Sequence, residues 1–267
     1  EWDRTVDPER RAEIDRRIRM LTDRVHRLDD HGGAPRRTAS LAAWVGLAGP
    51  PAEALRFGLA IALTVTAATF LVAYPVAWLV ARPSRRRDVA PFLVVLAAPW
   101  ALDPVLRLHG WQALLSPVAA PDATATVVVA LIHAHLPAML VPLLVALRDL
   151  DPRQIEAARD LGAAPLRIHR RIVLPHAAPG LAVGIAATFT LSAAPLVAPM
   201  LLAPDRGDGW FAPTLWRTLL DGGATDVAAA GAMGLLVVCL AAAWGTLRLF
   251  GVRAGDLLGR EHRHDRA

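Results

Sequence analysis

The chain has 267 residues, 54% of them hydrophobic, with a mean hydropathy of +0.37 and a formal net charge of +5. This composition is too apolar for a typical soluble domain, and all basic residues except the nine histidines are arginines. The single cysteine, Cys239, excludes an intramolecular disulfide.

Residues 1–50 form a charged segment in which we predict one amphipathic helix. Ten arginines and nine acidic residues lie within residues 1–37. Asp7 suits an N-cap, Pro8 the first helical position, and Gly32 the end of the helix. Between them, apolar residues with a 4-3-4-3 spacing form one stripe: Ile14, Ile18, Leu21, Val25 and Leu28. The stripe indicates a surface or membrane-interface helix, and a partner-binding or short coiled-coil helix is the alternative.

Residues 51–250 form the predicted transmembrane domain, followed by a charged cytoplasmic tail over residues 251–267. Four uncharged blocks each exceed the roughly 20 residues that a helix needs to cross a bilayer core of about 30 Å. A fifth block, Val89–Leu106, is shorter and contains Asp103. Lipid offers no hydrogen-bonding partners to the backbone, so all five should be helical. We therefore predict an all-α membrane protein with about five spans, the four longer blocks being Phe57–Ala81, Ala123–Leu147, Leu181–Ala203 and Val227–Leu247.

Arginines predict the orientation of these spans. The segments 82–87 and 148–171 and the tail from Arg248 together carry 15 arginines. The two remaining loops, 103–122 and 204–226, carry 3. Cytoplasmic loops are enriched in basic residues, so the arginine-rich side should be cytoplasmic, with the C-terminus inside and the N-terminus outside.

The longest cytoplasmic loop should fold as a helix, a break and a second short helix. Asp151 can cap the first helix, with Pro152 at its first position. Gly162 permits a left-handed exit from that helix. Ala164 and Pro165 would restart the chain, and Pro175 and Pro179-Gly180 would end the second helix before the next span. The result is a compact projecting element suited to docking a partner rather than to catalysis.

This loop resembles the EAA motif of bacterial ABC importer permeases. The matching pattern is Glu156-Ala157-Ala158, three residues, Gly162, nine residues, and then Ile172-x-Leu174-Pro175. The resemblance implies the type I importer permease fold and a coupling loop that inserts into a groove of a separate ATPase subunit. Glu156, Ala157, Ala158 and Gly162 would form that contact.

Three further stretches look like the spermidine/putrescine-type permeases: Leu150–Ala163, Tyr74–Arg82, and Pro99-Trp100 through Trp111. That subfamily also includes permeases for iron, thiamine and phosphonates. A polyamine-like cation is therefore the favoured cargo, with the other three as possible cargoes. Such permeases have six spans, so the first helix of the usual six is expected to be missing or replaced by residues 1–50.

The resemblance also implies the partners and the cellular location. These are an ABC ATPase dimer, a second permease subunit, an extracytoplasmic solute-binding protein and the lipid of the bacterial inner membrane. No glycine-rich phosphate loop, nucleophile elbow or zinc signature occurs in the sequence. We expect no cofactor on this chain, ATP and Mg²⁺ on the ATPase, and no nucleic-acid partner.

Polar residues within or near the spans are candidates for the substrate pathway. Asp103, near an external span end, could attract a cationic substrate or simply reach water, and Thr188 and Ser192 lie inside a span. His133 and His135 are two residues apart, so they point to different helix faces, and no metal site is expected. A membrane-bound enzyme using these residues, or a non-ABC secondary transporter or scaffold, is the alternative reading.

Overall fold

The computed structural model describes residues 41–47, 49–81, 100, 102–115, 122–222 and 225–252, together with positions 16, 19, 20, 22 and 23. The chain divides into two compact units, Glu1–Leu41 and Ala42–Ala267. The described positions of the first unit are helical, and the rest of the predicted amphipathic helix lies outside the described residues. The second unit contains every element discussed below, apart from Leu41, the first residue of the first helix.

The described elements from residue 41 onward are helical throughout. Short helices and turns alternate with four long helices, in the order α1 (Leu41–Val45), α2 (Pro50–Ala81), α3 (Pro104–Leu115), α4 (Ala123–Arg148), α5 (Pro152–Asp160), α6 (Pro165–Ile168), a π-helical turn (His169–Val173), α7 (Leu174–Ala193), α8 (Val197–Leu202), a 3₁₀ turn (Pro204–Gly209), α9 (Phe211–Gly222) and α10 (Thr225–Leu249).

Four helical stretches of the described chain are long and apolar enough to cross a membrane. They are Pro51–Ala81, Ala123–Arg148, Pro165–Ala193 and Thr225–Leu249. The predicted all-helical membrane architecture is therefore confirmed. The predicted fifth span, Val89–Leu106, falls largely outside the described residues and stays a prediction, although α3 begins inside its last three residues.

One predicted span is shifted along the chain. The block Leu181–Ala203 was expected to form one helix, but α7 ends at Ala193 and α8 begins separately at Val197. Pro195 explains the break, because the residue before a proline is disfavoured in the α conformation, and Ala194 has a φ of −144° and a ψ of 63°. The span gains its length at the other end, where α6, the π-helical turn and α7 run on from Pro165.

Helix α7 is the centre of the bundle and packs against α2, α4 and α10. Two glycines, Gly180 and Gly184, form its contact with α4. A methyl group on Gly180 would lie 2.7 Å from the Cβ of Ala146 and would also strike the carbonyl oxygen of Pro142. At Gly184 it would lie 2.9 Å from the Sδ of Met139. Small residues spaced in this way let membrane helices approach closely.

The two larger of three buried apolar cores lie at the two ends of the bundle. The first, at the end that carries the loop after α4, is here named the loop-end core. Its buried members come from α2, α4 and the α6–α7 stretch, and include Ala77, Met139, Leu143, Ile168 and Val173. The second lies at the opposite end, where Val65, Val127 and Trp210 are among the buried residues. The loop after α4 is therefore attached to the more extensive core.

Candidate docking site

The first helix of the loop, α5, begins and ends as the sequence predicts. Asp151 is its N-cap, and its carboxylate accepts a hydrogen bond from the backbone N–H of Arg153. Gly162 adopts a φ of +75°. Its N–H donates to the carbonyl of Arg159 at 2.8 Å, and the N–H of Ala163 donates to that of Ala158 at 3.0 Å. This pair of bonds is the Schellman ending, which fixes the direction of the chain after the helix.

One face of α5 is attached to the bundle. Ile155, Ala158 and, after the break, Ala163 pack against the loop-end core. Ile168, in the short helix α6, is buried within the same core. The loop is thus held on both sides of Gly162 and projects as a rigid element.

The other face of the loop carries the outward residues of the EAA pattern. Glu156, Ala157 and Gly162 are exposed, whereas Ala158 is half-buried against the core. Sequence reasoning missed two leucines beside them. Leu161 is 88% exposed and Leu166 is 80% exposed, on either side of the break. No local sequence pattern marks them, because the exposure of a leucine depends on the tertiary fold.

The second half of the pattern, Ile172, Leu174 and Pro175, lies closer to the bundle. Ile172 packs against the loop-end core, Leu174 is half-buried and Pro175 is exposed. The expected helix end at Pro175 and Pro179-Gly180 is wrong, because the helix continues through all three residues. Pro175 lies within this continuous helix, directly after the π-helical turn and Leu174. The π-helical turn before it uses longer-range bonds, such as that from the N–H of Leu174 to the carbonyl of His169.

A basic groove adjoins this surface. Arg167, Arg170 and Arg171, with Ala164 and Leu166, line an open cavity of about 530 Å³. All three arginines are exposed. The candidate docking surface therefore consists of Leu161, Leu166 and the carboxylate of Glu156, with the three arginines as a strongly positive border.

The three candidate pathway residues are distributed over different parts of the bundle. Asp103 is exposed, and its carboxylate accepts a hydrogen bond from the N–H of Val105 at 2.8 Å at the start of α3. Thr188 and Ser192 are completely buried one turn apart on α7. They would reach a substrate only if neighbouring helices separate. Their role in a pathway stays a prediction.

Ser192 has a partner that the sequence did not indicate, His135 on α4. Its Nδ1 lies 2.8 Å from the Ser192 hydroxyl, in a hydrogen bond that joins α4 to α7. His133 instead contacts Trp111 of α3, with ring centroids 5.5 Å apart. The two histidines thus have separate partners, as expected from their spacing along a helix.

Comparison with known proteins identifies the family. Residues 52–249 match the model of the binding-protein-dependent transport system inner membrane component. The chain is 28% identical to the inner membrane ABC transporter permease protein YdcU of Escherichia coli over 174 residues, which cover 55% of this chain and 56% of YdcU. It is 31% identical to the spermidine/putrescine transport system permease protein PotB of the same organism over 150 residues, covering 49% of this chain and 54% of PotB.

A shorter stretch of 57 residues is 46% identical to the spermidine/putrescine transport system permease protein PotC of Escherichia coli, covering 21% of this chain and 22% of PotC. The chain spans about half the length of YdcU and PotB. Four apolar spans and the family assignment confirm the predicted multi-pass inner-membrane location. The chain belongs to the family of inner membrane components of binding-protein-dependent transport systems.

Proposed function

We propose that this chain is the permease subunit of an ABC importer and that the loop Asp151–Ile168 docks its ATPase. The subunit works by alternating access with a second permease subunit. ATP and Mg²⁺ are bound by the ATPase dimer, whose closure moves the docking loop. A solute-binding protein delivers cargo to the outward-facing state. The single observation that carries this proposal is a rigid loop with outward EAA residues in a chain of the importer family.

The exposed leucines give the proposed contact an energetic basis. Burying a leucine side chain contributes about 1.5–3 kcal/mol relative to leaving it in water. Leu161 and Leu166 are exposed and have no place in the described cores. Glu156 adds a charge that an arginine or lysine of the ATPase can pair with. Ala157 and Gly162 leave space for close approach of the partner backbone.

The test is co-purification of the full chain with the ABC ATPase encoded nearest to its gene. We expect Leu161→Asp to weaken the complex by about 30-fold or more, because a charge would be buried at the centre of an apolar contact. Leu161→Met keeps the apolar volume and should retain the complex. Since Leu161 is 88% exposed, the span region of both variants should fold alike. Retention of the complex by Leu161→Asp would contradict the proposed docking surface.

For the cargo, we propose a polyamine-like organic cation. The support is the likeness to PotB and PotC, whose names specify spermidine and putrescine. Asp103, exposed at the end of the bundle opposite the docking loop, adds a carboxylate that can attract such a cation. Iron, thiamine and phosphonate are the competing cargoes.

Uptake into proteoliposomes that contain the complete transporter tests the cargo. Labelled spermidine or putrescine should accumulate only with ATP and the binding protein. Excess unlabelled polyamine should abolish accumulation, whereas thiamine, phosphonate and chelated iron should leave it unchanged. ATP-dependent uptake of thiamine, phosphonate or iron without polyamine uptake would overturn the proposed cargo and leave the permease assignment intact.

A further inference from the structure

His169 begins the π-helical turn that joins the docking loop to α7. Its Nδ1 lies 2.6 Å from the hydroxyl oxygen of Tyr74 on α2. The imidazole ring also meets Trp78 edge-to-face, with centroids 4.6 Å apart and an angle of 65° between the planes. The Tyr74 ring is 5.9 Å from the imidazole at 69°. His169 is therefore held by two aromatic residues one turn apart on α2.

This contact joins two elements that the sequence separates by 95 residues. On one side, His169 follows directly on α6, whose Ile168 is buried in the same core as the inner face of the docking helix. On the other side, Tyr74 and Trp78 lie in the last two turns or so of α2, which packs along both α4 and α7. The junction is therefore a direct contact between the chain that follows the docking loop and α2.

The contact between His169 and Tyr74 is directional because it is a hydrogen bond. An apolar side chain would fill the space beside Trp78 equally well, but the hydrogen bond fixes His169 to one hydroxyl of α2. The π-helical turn that starts at His169 is a second feature, since such turns are frequent at functional sites. The turn can change its hydrogen bonds from the five-residue spacing of a π-helix to the four-residue spacing of an α-helix. Such a change would rotate the residues before it without ending the helix.

We propose that His169 is a positioning residue that transmits the movement of the docking loop to α2 through Tyr74 and Trp78. This inference rests on the proposed importer function. In it, ATP-driven displacement of the loop carries α6 and the π-helical turn, and the fixed imidazole moves the adjacent end of α2. Loss of the junction uncouples ATP hydrolysis from the rearrangement of the spans.

The experiment uses the reconstituted transporter with its ATPase and binding protein. The variants are Tyr74→Phe, which removes only the hydroxyl, and His169→Ala, which removes the whole junction. We expect each variant to assemble with the ATPase and hydrolyse ATP, while substrate transported per ATP falls by roughly 5-fold or more, the range of an allosteric coupling free energy. The double variant should lower the substrate transported per ATP no further than His169→Ala alone, because both substitutions break the same interaction.

Phe70→Leu is the matched control. Phe70 lies one turn before Tyr74, with its ring centroid 5.6 Å from that of Tyr74. Phe70→Leu should lower the stability of the protein slightly and leave the ratio of transport to ATP hydrolysis unchanged. If Tyr74→Phe and His169→Ala lower the yield of folded complex but keep the wild-type ratio, the junction is merely structural and the inference is overturned. Failure of the wild-type chain to bind any ATPase would instead overturn the proposed function itself.

Discussion

At Gly162 the backbone adopts a φ of +75° in open space, whereas at Gly180 a methyl group would collide with the neighbouring helix. The first glycine is required by conformation. Side chains disfavour the left-handed region by about 1–2 kcal/mol, and the Schellman ending of α5 depends on it. The second is required by packing, because α4 passes directly over it. Sequence alone identified Gly162 by its place after a helix but read Gly180 as a helix end, since the helix that packs against it is distant in the chain.

Substitution of Gly180 tests the close contact of α4 and α7. Gly180→Ala improves helix propensity by about 1 kcal/mol, yet the added methyl group meets backbone that cannot move aside. Overpacking of this kind costs about 1–3 kcal/mol. We expect a net loss of thermal stability of several degrees in detergent, measured as the unfolding temperature of the purified chain.

Gly245→Ala is the control for that change. Gly245 lies in another span, α10, and a methyl group added there would have nothing within 4 Å. The substitution should therefore keep or raise the unfolding temperature. Equal behaviour of the two variants would show that helix propensity, and not contact with α4, decides the effect of Gly180.

At the level of elements, prolines show where sequence reasoning succeeds and where it does not. Pro152 marks the start of α5 and Pro165 that of α6, as predicted. Pro75, Pro137, Pro142 and Pro179 lie inside long helices instead. Neighbouring helices of a bundle stabilise a span that has lost a backbone hydrogen bond, so proline is tolerated within it. Pro195 coincides instead with the break within the predicted span Leu181–Ala203, and no local pattern distinguishes it from the four prolines inside helices.

The docking loop was predictable for a different reason. Its helix has an N-cap, a proline at the first position and a glycine at the end, all of which act through local backbone chemistry. The exposure of Leu161 and Leu166 and the junction of His169 with Tyr74 depend on the tertiary fold. Sequence reasoning therefore located the loop and named half of its outward surface, but it missed the apolar contacts and the connection to α2.

At the scale of the whole molecule, the outer surface of the bundle is strongly apolar. Along α10, Leu236, Val237, Leu240 and Trp244 are each more than half exposed. Water would make such a surface unfavourable, so lipid or a protein partner must cover it. In the described chain, α10 is the least buried of the four spans. It therefore has the most surface available for these neighbours.

The docking proposal depends on the orientation of the molecule in the membrane. With 15 arginines on one side and 3 on the other, the loop after α4 should face the cytoplasm, where ATP is available. The accessibility of one exposed residue on each side of the membrane can reveal the orientation. These residues are Gln154 on α5 and Asp205 in the 3₁₀ turn after α8. Each is replaced by cysteine in a background where the buried Cys239 is changed to alanine.

Spheroplasts are then treated with a membrane-impermeant maleimide. Asp205→Cys should react in intact spheroplasts, and Gln154→Cys should react only after the membrane is permeabilised. Both variants should react equally in detergent, which controls for local accessibility. Because an ATPase can dock only from the cytoplasm, labelling of Gln154→Cys from outside would contradict the orientation and remove the docking function of Glu156, Leu161 and Leu166 with it.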